Sequence, residues 1–310
     1  MGASPARDCA AQIHQSRARL APTEVHMSLL ITPRTQDIGF PVQRLLPTRE
    51  RQRVGPFIFL DHMGPASFPA NSTAGDVRQH PHIGLSTVTY LFSGAIMHRD
   101  SLGVVQRIEP GAINLMTAGK GIVHSERMPA DIRESGTLLQ GLQTWLAMPT
   151  ELEEIDPAFA HYPAAEIPVC ESAGVRAAVL MGEVNGKRSP VKAHSPTTFV
   201  DLQMQAGATF AVHVAGHELA VYMANGSAMV NDELVQEHHL LVLDDAVNIV
   251  ALGGECRAVI LGGAPLEGKR YIHWNFVSSS TERLKQAGAD WTENRFTLVP
   301  GEVDKIPLPG

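Results

Sequence analysis

The chain has few cysteines, few aromatic side chains, little charge and no long apolar run. Three cysteines, Cys9, Cys170 and Cys256, are scattered through 310 residues without a C-x-x-C pair. Neither a disulfide framework nor a thiolate zinc site is therefore expected to organise the fold, and the thiols point to a reducing, cytoplasmic compartment. No stretch of 18 or more apolar residues offers a membrane span. The first 26 residues carry Arg7, Arg17 and Arg19 but nothing resembling the apolar core of a secretory signal. Acidic groups outnumber basic ones, 32 to 25, for a formal net charge of -7. That balance opposes direct, sequence-independent binding to a nucleic-acid backbone, which needs clustered Lys and Arg. A protein partner stays open.

What is present is glycine, proline and apolar residues in short runs. With 27 Gly, 21 Pro and 44% apolar residues, the chain reads as many short strands joined by turns around a sizeable core. Its organising stretch runs from His80 to Glu126, opening with His80-Pro81-His82 and closing with His124-Ser125-Glu126. Side chains on a strand alternate faces, so His80 and His82 share one face of theirs, and His124 and Glu126 share one face of theirs. Between the pairs lie Leu85 to Ser93, Ala95 to Met97 and Ala112 to Thr117, punctuated by Gly84, Gly94, Gly103 and Pro110-Gly111. Strand and turn then alternate in a way that can lay the second pair beside the first.

A lone H-x-H is as easily two core histidines as two ligands. A second His/acid pair at the same period is what makes a metal centre the better reading. Three imidazoles and a carboxylate can close on one divalent cation and leave room for water, O2 or substrate. The absence of thiolates favours Fe(II), Mn, Ni, Cu or Zn over a zinc-thiolate site. We expect one ion per chain, Fe(II) first among these.

The same residues carry a resemblance. His80-Pro81-His82, Gly84, Thr87 to Leu91, Gly94, Pro110-Gly111, Met116 to Gly119, Gly121 to Glu126 and Met128-Pro129 are similar to the pattern of the pirin family within the cupin superfamily. Phe57 to His62 upstream and His273 to Ser280 downstream extend it over nearly everything from about Arg34. The resemblance implies an all-β chain of two tandem cupin (jelly-roll) β-barrels with a few short helices. It also implies a mononuclear metal in the N-terminal barrel alone, held by His80, His82, His124 and Glu126. Some members cleave the flavonol quercetin with O2 and others act as transcriptional co-regulators. The implied chemistry has Glu126 as the catalytic base, taking a proton from a small aromatic or ene-diol substrate that O2 then attacks. The alternative is a metal-dependent redox sensor or protein-binding co-regulator without turnover.

Two departures stand out. Many cupins carry a Glu four or five residues after the second His, whereas Ser86 and Thr87 stand there, leaving Glu126 as the carboxylate. Where relatives often have an aromatic after the Pro-Gly turn, this chain reads Asn114-Leu115-Met116.

The expected layout is a disordered extension over 1–30 with Met27 as a candidate start, a metal-bearing barrel over 31–156, a Pro-rich linker over 157–168, a second barrel over 169–278, and a terminal helix and tail over 279–310. In the second barrel eight short runs are expected: Val175 to Met181, Thr197 to Gln203, Ala208 to Val214, Leu219 to Met223, Gly226 to Val230, Leu240 to Leu243, Val247 to Ala251 and Arg257 to Gly262. His213, His217, His238 and His239 there lack H-x-H spacing, so no second metal is expected. His62 is a candidate for pocket lining or a turn cap, and His98 for a hairpin-end histidine rather than a fifth ligand.

Overall fold

In the computed structural model the described residues are 28–310. The expected extension lies outside them except at its end, where Leu29–Ile31 is not disordered but a strand paired with Leu240–Leu243. The described chain forms two compact units, one of residues 34–165 and 266–310, the other of 28–33 and 166–265. The division at 165/166 falls inside the expected linker, and the second, at 265/266, precedes the expected 278.

The first unit is built on two large antiparallel sheets, with a small hairpin of Tyr271–His273 and Phe276–Ser278. One runs in the order Ala158–Tyr162, Ile113–Thr117, Leu85–Ser93, Thr137–Ala147, Phe57–Phe68, Pro41–Leu46 and Arg34–Asp37. The other runs Val77–His82, Ile122–Arg127, Ile96–Asp100 and Val105–Ile108. The sheets meet through side chains from both. Val42, Met63, Leu91 and Leu139 of the larger pack with Ile96 and Ile108 of the smaller. Towards the other end, Ile58, Phe59, Leu85 and Trp145 pack with Ile122. Part of the expected linker is sheet: Ala158–Tyr162 pairs with Ile113–Thr117, because the flanking prolines leave a five-residue run whose N–H groups can still complete the sheet edge.

The C-terminal residues close the same unit. Ser280 caps the helix Thr281–Thr292, its Oγ accepting from the Arg283 N–H at 3.3 Å. Leu284, Ala287 and Trp291 pack with Ile83, Val123 and Phe276. The tail beyond the helix lies along the Val77–His82 strand. Ile306 N–H donates to the Gln79 carbonyl at 3.0 Å and Val299 N–H to Gln79 Oε1 at 3.1 Å. A strand edge that would otherwise offer unpaired backbone is thereby covered, and Trp291 Nε1–H fixes the tail by donating to the Ile306 carbonyl at 2.9 Å.

The second unit is one large antiparallel sheet, with the small hairpin of Glu183–Val184 and Lys187–Arg188, around an apolar core that includes Val179, Val200, Leu202, Leu219, Val221, Leu241, Ile249 and Ile260. Four of the eight expected runs are halves of two long strands. Leu219 to Met223 and Gly226 to Val230 belong to Glu218–Val230, and Val247 to Ala251 and Arg257 to Gly262 belong to Ala246–Gly263. The pairing shifts register between Met223 and Asn225 and again between Asn225 and Ser227. A bulge of this kind bends a strand without ending it, although its Asn and Gly look like a turn in sequence. Cys170 and Cys256 are buried in this core.

Candidate metal centre

The Val77–His82 strand lies at the edge of its sheet, so Pro81 costs no ladder hydrogen bond. Alternation sends His80 and His82 to the same face. The antiparallel Ile122–Arg127 strand is registered so that His124 stands opposite His80 and Ile122 opposite His82. Beyond His82 the chain must turn at Gly84, where φ is +65° and a Cβ would sit 2.0 Å from the Val277 carbonyl oxygen. Only glycine fits there. The close approach also brings the segment carrying Asn275 to the back of His82.

The three imidazoles converge. Their ligand atoms lie within 4.8 Å of one another, and all three side chains are buried. His82 Nε2 and His124 Nε2 are 3.1 Å apart. Two nitrogens at that spacing subtend about 95° at an ion about 2.1 Å from each, the usual metal–imidazole bond length. The outer ring nitrogens are engaged behind the site. His80 Nδ1 donates to the Arg78 carbonyl at 2.8 Å and His82 Nδ1 to the Asn275 carbonyl at 3.2 Å, which leaves each Nε2 as an inward lone pair. His124 Nδ1 faces His98 Nδ1 at 3.4 Å.

Burial lowers the His80 pKa to about 4. Burial and then the neighbouring imidazoles hold His82 and His124 well below the ordinary histidine range. At neutral pH the cluster therefore presents neutral donors, the form a cation needs. The donor set fits a divalent transition metal.

Glu126 lines the same cavity but does not join the three-histidine cluster. The strand pairing shifts register between His124 and Glu126, which displaces the carboxylate from the position simple alternation gives. Burial pushes its carboxyl up to about 7, the expected response of a carboxylate removed from water.

The cavity measures about 680 Å3. Phe59 and Trp145 form one wall as stacked rings, centroids 3.9 Å apart and 11° from parallel, and Trp145 stands edge-on to His82 at 5.3 Å. Above Phe59 lies the Arg44 guanidinium, 4.6 Å from the ring centroid, held by two 2.8 Å hydrogen bonds to the carboxylate of buried Asp61. Asn114 is buried and bonded to His161 at 2.7 Å. The aromatic surface of the cavity comes from Phe59 and Trp145.

The profile of the family described as Pirin matches residues 39–146, and that of the Pirin C-terminal cupin domain matches residues 199–297. A pirin-like protein of Caulobacter vibrioides is 45% identical over 91% of this chain and 99% of its own length. The chain belongs to the pirin family. Human pirin is 28% identical over 86% of this chain and 92% of its own. A crystal structure of a quercetin 2,3-dioxygenase from Acinetobacter baumannii, 35% identical, superposes with a TM-score of 0.84 over 91% of this chain and 95% of that one. The two all-β units are accordingly the two cupin barrels of a pirin.

Of the expected site residues, the structure brings His80, His82 and His124 together and sets Glu126 beside them. His62 is buried elsewhere, against Gln140 at 3.2 Å and edge-on to Phe92. His98 is no fifth ligand in the cluster, but it lies directly behind His124. Sequence reasoning missed Asp100, which the H-x-D spacing after His98 could have flagged. It also missed Phe59, Trp145, Arg44 and Asp61, for which no local pattern exists.

Proposed function

We propose that this pirin binds one divalent transition metal per chain through Nε2 of His80, His82 and His124, with Glu126 as a fourth ligand, and acts as a dioxygenase of the quercetin 2,3-dioxygenase type on small flavonol or ene-diol substrates. The observation that carries this reading is the convergence of three buried, neutral imidazoles on an open cavity with an aromatic wall. A metal held there supplies a positive centre that polarises a substrate oxygen and, when redox-active, as Fe(II) is, exchanges electrons with O2.

The residues of the chain divide the remaining work. Trp145, backed by the stacked Phe59 ring, offers an apolar surface beside His82 for a flat substrate ring. Arg44, kept in place by Asp61, offers N–H donors to a substrate oxygen. Glu126, which lines the same cavity, takes the hydroxyl proton as the substrate becomes an anion. The chemistry suits the reducing, cytoplasmic setting that the scarce cysteines suggest. Among the described residues no helix is long and apolar enough to cross a membrane.

Oxygen uptake by the Fe(II)-loaded protein with quercetin and with simple catechols tests the proposal. Consumption of O2 matched to loss of the flavonol absorbance is expected. Full metal loading without O2 uptake would instead favour the sensor or protein-binding reading.

A further inference from the structure

His80 and His82 are each oriented by a backbone carbonyl, but His124 is oriented by a side chain. The strand Ile96–Asp100 pairs with Ile122–Arg127 so that Asp100 stands opposite His124 and His98 opposite Glu126. His98 and Asp100 share one face of their strand, and both are buried, at 5% and 0% exposure. His98 Nε2 lies 2.9 Å from Asp100 Oδ2. The other carboxylate oxygen, Oδ1, accepts the N–H groups of Leu102 at 2.9 Å and Val104 at 3.1 Å, so the carboxylate cannot rotate away. The Phe159 ring stacks on His98 at 4.4 Å and 22°, which fixes the imidazole plane.

The proton positions follow in order. A carboxylate only accepts, so the proton on His98 sits on Nε2. His98 Nδ1 is then a lone pair, and across 3.4 Å it can only accept from His124 Nδ1–H. That leaves His124 Nε2 unprotonated, aimed at His80 and His82. The reverse arrangement, with an N–H on His98 Nδ1, would move the His124 proton to Nε2, the atom a cation must have. We infer that Asp100 and His98 are positioning residues, a carboxylate–imidazole relay that fixes the tautomer and ring orientation of His124 for metal binding. The inference rests on the metal reading of the His80, His82 and His124 cluster and adds to it the way the third ligand is set.

Asp100→Asn is the informative variant. Its amide oxygen can keep the Leu102 and Val104 N–H bonds, which turns the amide NH2 towards His98 Nε2 and forces the His98 proton onto Nδ1. The melting temperature of the metal-free variant should stay close to that of the parent, while Zn(II) affinity, measured by competition with a chelator, should fall about 10- to 100-fold. His98→Gln, whose amide oxygen can still accept from His124, should lose less affinity than His98→Leu, and this pair decides the matter should Asp100→Asn not fold. Long-range proton–nitrogen correlation spectra of the parent should place the protons on His98 Nε2 and His124 Nδ1.

Zn(II) affinity in Asp100→Asn within about threefold of the parent, well inside the range an outer-shell partner commands, would overturn the relay. So would a proton on His98 Nδ1 in the parent, or equal affinities for the Gln and Leu variants. A parent chain that takes up no Zn(II) overturns the metal reading itself, and the relay with it. A parent that binds Zn(II) while Asp100→Asn binds equally well overturns the relay alone.

Discussion

His82 Nε2 and His124 Nε2 stand 3.1 Å apart although the two residues are 42 positions apart in sequence. Nothing apolar separates them, and each is turned inward by a partner on its outer nitrogen. Removing one of the pair should therefore remove the ion and little else. His124→Ala is expected to weaken metal binding by more than about 100-fold, beyond the loss typical of an outer-shell partner, while the circular dichroism spectrum is kept. Elemental analysis after dialysis checks it, and full metal occupancy in the variant would refute the assignment.

Glu126→Gln should separate binding from chemistry. The amide oxygen can still touch a cation but neither carries a charge nor takes a proton near neutral pH. Metal content should fall modestly, and O2 uptake per bound metal should fall by about 100-fold or more, the usual contribution of a general base. Unchanged turnover per metal would remove Glu126 from the role of base.

The metal-free chain should lose stability on mild acidification. His80, His82 and His124 have folded pKa values below 6.5, so the unfolded chain binds more protons and stability is lost as pH falls from about 6.5 through about 4. Glu126 acts with the opposite sign, because its folded value is raised from 4.5 to about 7. The folded chain then holds the extra proton, and stability from this group is lost as pH rises through about 7. Between 4.5 and 6.5 the three histidines outweigh Glu126, so the melting temperature of the metal-free protein should drop as the pH is lowered. Bound metal excludes the protons and should delay the drop to lower pH. Calorimetry with and without metal measures both, and a metal-free melting temperature that rises on acidification would contradict the burial of the cluster.

Gly84→Ala should damage both fold and site. The positive φ alone costs about 1 kcal/mol, and a Cβ placed 2.0 Å from the Val277 carbonyl forces backbone to move. That backbone leads to Asn275, whose carbonyl holds His82. Lower thermal stability together with weaker Zn(II) binding is expected. A stable variant with parental affinity would show that the turn does not position His82.

The three-histidine cluster was legible because strand alternation is a local rule: residues two apart share a face, and His80, His82 and His124 needed only that rule and a chain able to turn back. Glu126 obeyed the same spacing, yet a bulge between it and His124 shifted it in a way that no residue type announces. The same physics hid the long strands Glu218–Val230 and Ala246–Gly263, whose bends resemble turns in sequence. Proline around 157–168 suggested a linker, and the edge of a sheet recruited its middle. The partner that orients His82 is a backbone carbonyl 193 residues away, and the H-x-D pair His98 and Asp100 meets His124 only through pairing with the neighbouring strand. Side-chain chemistry could be read locally, but the groups that orient it are set by tertiary pairing.

The most direct test of a single metal held by three histidines is an anomalous difference map from a crystal of the chain purified with its metal, recorded at that metal's absorption edge. One peak per chain, about 2.1 Å from the Nε2 atoms of His80, His82 and His124, is the predicted result. A map with no peak at that position, or with its peak at other residues, would contradict the account.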